Sequence, residues 1–273
     1  MQNIKKKHPI FILLLCVLIT FSFIPIINIL YMALSAMLTA TNAGWLKWIL
    51  LSKDMNRFDS IRCMLMIIPS IFIYRHLQKQ SASGTLNWSL PKGNLYSILT
   101  GIGFCGIAFL WIQFAEKFLS KSEWIHKSLL AMSDTVIEPT LQEFLLLILA
   151  AGILVPILEE LLFRGIIFSM LEKIKKGWFA VVVSAILFAF AHMNLIQGVY
   201  TFIMGLISGF IYLKTKDLRW TILMHMTINT ISAFTSLAFM QAYLPIWNLF
   251  TVIMIIPVLL WMWKWSDQAE KTA

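Results

Sequence analysis

Apolar residues run along this chain in long blocks, and most of the charge sits in the short segments between them. An α-helix rises about 1.5 Å per residue, so a block of roughly 20 apolar residues crosses a hydrocarbon layer about 30 Å thick. Eight blocks are predicted as spans, at about 10–38, 61–74, 95–115, 141–171, 178–197, 199–213, 220–240 and 246–263. The second is the shortest. The fourth exceeds what a bilayer requires and predicts either a tilt or an interfacial turn at its end. Lys5-Lys6-Lys7 followed by Ile10 resembles the start of a signal peptide, but the apolar run continues to about Leu38. That is well beyond an h-region of roughly 7–15 residues, so an uncleaved first helix is expected. Pro25, Pro69, Pro156 and Pro257 punctuate the blocks. Pro156 cannot donate to the carbonyl of Gly152 and should loosen the fourth helix there. Gly205 and Gly209 form a GxxxG pattern that predicts close helix packing. The mixed-charge loop at about 116–140 has room for a short interfacial helix.

Composition agrees with this pattern. Of 273 residues, 59% are hydrophobic and 13% charged, with a mean hydropathy of +0.81. Soluble domains carry nearer a quarter of charged residues. The expected fold is therefore all-α and polytopic, one transmembrane domain over 1–273, with a motif-bearing core at about 141–240. A net charge of +9 raises the question of nucleic acid. Nucleic-acid binding needs a clustered basic surface, and the basic residues here are scattered between apolar runs. Eight spans with a cytoplasmic N-terminus put 15 of the 22 Lys and Arg residues inside and 7 outside, Arg164 being counted inside. That bias predicts a multi-pass protein of the cell membrane with both termini cytoplasmic. Cys16, Cys63 and Cys105 form no CxxC pair and read as small apolar residues of membrane helices.

Ionisable residues within spans are costly and need a reason. They fall into three groups. In Glu159-Glu160-Leu-Leu-Phe-Arg164, the arginine follows Glu160 by four residues on the same helical face, so those two can pair. Glu159 points about 100° away and is left for another task. Taken alone, the Glu160–Arg164 pair fits a packing role as well as a functional one. The second group is Phe188-x3-His192, and a histidine titrates near neutrality, ligates metals and shuttles protons. In the third, His225-x3-Asn229, two donors share one helical face, as an oxyanion site requires. Such polar pairs also join membrane helices. Converging, the three groups supply a base, a proton carrier and hydrogen-bond donors, an inventory that suits water attack on a carbonyl.

These three motifs, in this order, resemble the CPBP family, also called the Abi or CAAX-protease-like family. Its pattern is EExxxR, FxxxH and HxxxN/D. The family groups type II CAAX prenyl endopeptidases with bacterial intramembrane proteases and bacteriocin-immunity proteins. All three motifs are intact, and the resemblance covers about 159–229. It implies a membrane-embedded peptidase of membrane-associated or prenylated, CAAX-like peptides. By that resemblance the catalytic set is Glu159, Glu160, Arg164, His192, His225 and Asn229, in the core of spans four to seven. Glu159 would activate water with His192 helping to hold it, and His225 and Asn229 would stabilise the oxyanion. Glu160 and Arg164 would orient the base helix, with Glu160 able to share base duty. No HExxH, GxGD or GxSG signature occurs with its partners.

Two matters stay open at this level. Glu159, His192 and His225 could ligate a divalent metal such as zinc with one open position, or a Glu/His pair could activate water without one. The rival readings are a non-enzymatic immunity or interaction protein and a proton-coupled transporter, the latter disfavoured by the lack of repeated halves. The predicted boundaries also leave a mismatch in depth. Counted from the cytoplasmic ends of their helices, Glu159 and His192 lie about 20 Å deep and His225 about 9 Å. A dip of the 214–219 loop into the bilayer would remove it.

Overall fold

The computed structural model describes residues 9–39, 55–78, 87–132, 138–175 and 177–270. Among these the chain is helical, with no β-strand. A helix stands at each of the eight predicted positions. They are α1 (Pro9–Thr39), α2 (Met55–Gln78), α3 (Leu90–Leu119), α5 (Leu141–Leu171), α6 (Trp178–Ala191), α7 (Leu195–Thr215), α8 (Leu218–Thr235) and a broken pair, α9 (Leu244–Ile253) and α10 (Ile255–Glu270). The loop predicted to hold an interfacial helix contains α4 (Glu123–Met132), which exposes Trp124 and Leu130.

Among the described residues, five stretches are long and apolar enough to cross a membrane: Ser60–Gln78, Leu90–Leu119, Leu141–Leu171, Leu195–Thr215 and Ala238–Lys264. The second, shortest predicted span is thus a full-length candidate. Among the described residues the apolar stretch Pro9–Ser22 and helix α6 are shorter, and α8, which carries Arg219, His225 and Asn229, is not among the candidates. The protein is an all-α, multi-pass membrane protein.

Local chemistry sets the helix ends. Thr140 and Glu143 form a capping box at the start of α5, each satisfying the other's backbone N–H. The Asn194 side chain accepts from the N–H groups of Ile196 and Gln197 at the start of α7, and Asp217 accepts from Arg219 at the start of α8. The break between α9 and α10 at Met254 precedes Pro257, which has no N–H to continue the ladder. Helix α6 stops at Ala191, six residues short of the predicted end. Met193 follows with φ +50°, and this non-glycine residue in the left-handed region reverses the chain into α7.

Helix α5 is continuous but not uniform. Residues Ile148–Leu154 and Leu161–Phe168 are wound as π-helix, flanking an α-helical turn Val155–Glu160. The N–H of Val155 donates to the carbonyl of Ala150, five residues back. Pro156 supplies the reason, since its ring and missing N–H disfavour a tight turn over Gly152. The predicted loosening is therefore a widened helix on either side of the Glu159-Glu160 pair, and π turns of this kind are frequent at functional sites.

Small residues let the helices around α5 close up. A Cβ on Gly205 would stand 2.8 Å from Ala185, and one on Gly209 would stand 3.1 Å from Val181. The GxxxG pattern of α7 is thus the contact face for α6. On α3, Gly101 and Gly103 face backbone oxygens of Met224 in α8 and of Met254 at the break between α9 and α10, each 2.8 Å from where a Cβ would be. A core of buried apolar residues from α5, α6 and α7, including Phe163, Ile167, Phe168, Phe188 and Ile211, surrounds the polar motifs.

Candidate functional site

Three helices bring the three motifs together. Glu160 and Arg164 lie on the inner face of α5, both fully buried. Arg164 Nη1 donates to Glu160 Oε1 at 3.2 Å, the pairing their spacing predicts. Arg164 Nη2 donates to the carbonyl of Gly205 at 3.3 Å, and its guanidinium lies 4.7 Å from the centre of the Phe188 ring. Ser208 Oγ donates to Glu160 Oε2 at 2.8 Å. His225 Nδ1 lies 3.1 Å from Glu160 Oε1. A carboxylate only accepts, so that nitrogen carries the proton. Both oxygens of Glu160 are therefore committed. Shared base duty for Glu160, one of the roles the resemblance implies, is not what this geometry favours, because its lone pairs already serve three donors.

Glu159 is placed differently. Its side chain is 27% exposed, against 0% for Glu160, and that contrast separates their tasks. It lines a cavity of about 80 Å³ together with His192. Such a volume holds more than one water, each needing roughly 10–15 Å³ by this kind of measure. On its other side, Glu159 Oε2 lies 3.6 Å from His225 Nε2. His225, buried in α8, thus stands between the two glutamates.

His192 occupies the C-cap of α6 rather than the middle of a span. Its Nδ1 lies 2.8 Å from the carbonyl of Phe188. A carbonyl can only accept, so Nδ1 carries the proton and Nε2 of the neutral ring keeps its lone pair. The Phe188 ring lies edge-on to both histidines, with centroids at 4.8 Å from His192 and 6.0 Å from His225. Asn229 Nδ2 donates to the carbonyl of Ala151 on α5 at 2.9 Å. The spacing pairs it with His225 on one face of α8, while the structure gives its amide a carbonyl of a neighbouring helix.

The mismatch in depth disappears. Leu218 Cδ1 lies 3.4 Å from where a Cβ on Gly165 would stand, and Lys216 Nζ bonds Glu172 Oε1 at 2.5 Å. The turn into α8 is therefore level with the last turns of α5, from Gly165 to its C-cap Glu172. Six residues of α5 and seven of α8 then climb to Glu159 and His225 by similar rises of about 9–10 Å. The 214–219 segment dips relative to the end of α5.

Among the described residues no three His, Cys, Asp or Glu side chains converge as a metal ion requires. His225 directs Nδ1 to Glu160 at 3.1 Å and Nε2 toward Glu159 at 3.6 Å. The donors from Ser208, the acceptor carbonyl of Gly205 and the ring of Phe188 complete the site. Ser208 was not singled out from the sequence. Its signal was a hydroxyl inside the GxxxG pattern, on a face read only for packing.

Comparison with known proteins agrees with the motif reading. Residues 141–231 match the family described as type II CAAX prenyl endopeptidase Rce1-like. A Bacillus subtilis (strain 168) protein, "Putative membrane peptidase YdiL", is 33% identical over 99 residues, covering 36% of this chain and 41% of that protein. The chain thus matches less than half the length of this curated relative. No solved structure matches.

Proposed function

With residues 141–231 belonging to the Rce1-like, CAAX-protease-like (CPBP) family, we propose that this protein is an endopeptidase that hydrolyses membrane-associated peptides with a water activated by Glu159 and His192. The observation that carries this reading is the division of labour between adjacent glutamates: Glu160 saturated and buried, Glu159 lining a cavity with His192. A water in that cavity can donate one proton to the Glu159 carboxylate and the other to Nε2 of His192. As its oxygen bonds to the peptide carbonyl carbon, Glu159 takes the proton and later passes it to the leaving amine as the C–N bond breaks. His225 is held by Glu160 through Nδ1. When doubly protonated it presents an Nε2–H that can stabilise the developing oxyanion. Arg164, Glu160, Ser208 and Phe188 act as positioning residues for that histidine and for the base helix. Asn229 contributes by tying α8 to α5 at Ala151. We propose cytoplasmic termini and a substrate delivered from the lipid phase, a prenylated CAAX-like peptide being one class the family suggests.

The test uses purified protein in lipid and the Glu159→Gln variant, with the membrane and secreted peptidomes of cells carrying each form. The variant is nearly isosteric and keeps a hydrogen-bonding group, so it should fold normally. Cleavage should drop about 100-fold or more, the usual contribution of a general base. Metal analysis of the active preparation should give far less than one ion per chain. Full activity in Glu159→Gln would sink the proposal, and stoichiometric zinc required for activity would replace the metal-free water with a metal-bound one.

A further inference from the structure

One cation on the wall of the catalytic cavity has no part in the chemistry above. Arg62 of α2 lines the cavity shared by Glu159 and His192, with Cys63 and Met66 on the same helical face. From α5 come Val155, Leu158 and Leu162 beside Glu159. Among the described residues lining this cavity, Arg62 is the one permanent cation, set in walls that are otherwise largely apolar. It lies at the start of the apolar stretch Ser60–Gln78. An arginine at a span end commonly snorkels toward the headgroups, yet this one borders the reaction cavity instead.

Resting on the hydrolase reading, we propose that Arg62 recognises a carboxylate of the peptide substrate and so sets which peptides are cut. The guanidinium fork fits a carboxylate with two parallel hydrogen bonds, a geometry a lysine does not reproduce. The apolar walls take side chains on either side of the scissile bond and lower the local dielectric, which strengthens the pairing. The sign also matters. A carboxylate entering this cavity is repelled by Glu159, and Arg62, which lines the same cavity, offsets that repulsion. Arg62 already has interactions in the resting protein, so a substrate carboxylate shares or displaces them. The negative group is either the free C-terminal carboxylate of a short peptide or an acidic side chain near the scissile bond.

The probe is a mixed-sequence library of N-acylated apolar octapeptides, cleaved by the full chain in liposomes and read by mass spectrometry. Three versions are compared: free C-terminal carboxylate, C-terminal amide, and C-terminal amide with one internal Glu. Wild type should cleave at least one carboxylate-bearing version with kcat/KM about tenfold or more above the plain amide, as a charge-assisted hydrogen bond allows. Which version is favoured identifies the source of the charge. Arg62→Gln should erase the preference through KM, with kcat within about threefold and the plain amide unaffected. Arg62→Lys should fall between. Equal cleavage of all three versions by wild type overturns the inference and leaves the hydrolase reading intact. So does an equal loss on all three in Arg62→Gln. If Arg62→Gln does not fold, the wild-type preference and the lysine variant decide on the same criteria. A wild-type chain that cleaves none of the library overturns the hydrolase reading and this inference with it.

Discussion

Glu159 and Glu160 are neighbours in sequence with opposite fates, and the residue scale is where that is decided. Glu160 receives Arg164, Ser208 and His225, while Glu159 keeps a partly exposed carboxylate at a cavity. The i, i+4 pairing with Arg164 was legible from spacing alone, and so was the release of Glu159 from it. The partners from α7 were not, because Ser208 and the Gly205 carbonyl reach Glu160 and Arg164 only after two helices pack. A contrast between two variants follows. Arg164→Ala removes a fully buried cation and leaves the Glu160 charge with only Ser208 and His225 as partners, so stability should fall by about 3–5 kcal/mol and activity with it. Asn229→Ala removes one interhelical hydrogen bond worth roughly 1 kcal/mol, so its thermal stability should fall slightly and its turnover moderately. Thermal unfolding in detergent beside cleavage rate separates them. A loss of turnover of several hundredfold in Asn229→Ala with unchanged stability would return that residue to the oxyanion role.

At the scale of elements, the widened helix α5 and the α6–α7 contact matter most. Pro156 and the π turns on either side of Val155–Glu160 set which faces Glu159, Glu160 and Arg164 present. The proline announced a loosened helix, but not its π register, because that depends on the neighbours that fill the wider turn. On α7, Gly205 lets the backbone come close enough to α6 for its carbonyl to face Arg164. Gly205→Ala places a Cβ 2.8 Å from Ala185, and overpacking of this kind costs about 1–3 kcal/mol. Because the shift also moves the acceptor of Arg164, cleavage should fall together with stability. Ala185→Gly in the same chain removes the contact with the Ala185 Cβ but leaves the one with its Cα, also at 2.8 Å, so it should restore only part of both. Melting temperature and activity of the single and double variants check this, and a single variant with unaltered stability would show that the two helices have room to spare.

For the whole molecule, the arrangement predicts an orientation. If the basic bias governs insertion, reporters fused at Lys7 and after Lys264 should both read cytoplasmic. An external reading at one end would mean an odd number of crossings, with the short helix α6 the first to reconsider. At 14 residues it rises only about 20 Å. Lys5, Lys6 and Lys7 lie outside the described residues, so the orientation rests on charge distribution and not on their placement.

Hydrophobic blocks determine helices because a buried backbone in lipid must satisfy its own hydrogen bonds, and that constraint is local. For this reason the helix at each predicted position, the short helix in the 116–140 loop, the GxxxG contact and the three motifs could all be read from the chain itself. What the tertiary structure alone decided is where those motifs stand relative to one another. The end of α6 at His192, the dip of the 214–219 turn to the level of Gly165, the commitment of Asn229 to Ala151 and the arginine at the cavity wall each depend on contacts between residues far apart in sequence. No periodicity records them, because they arise only when helices choose their neighbours.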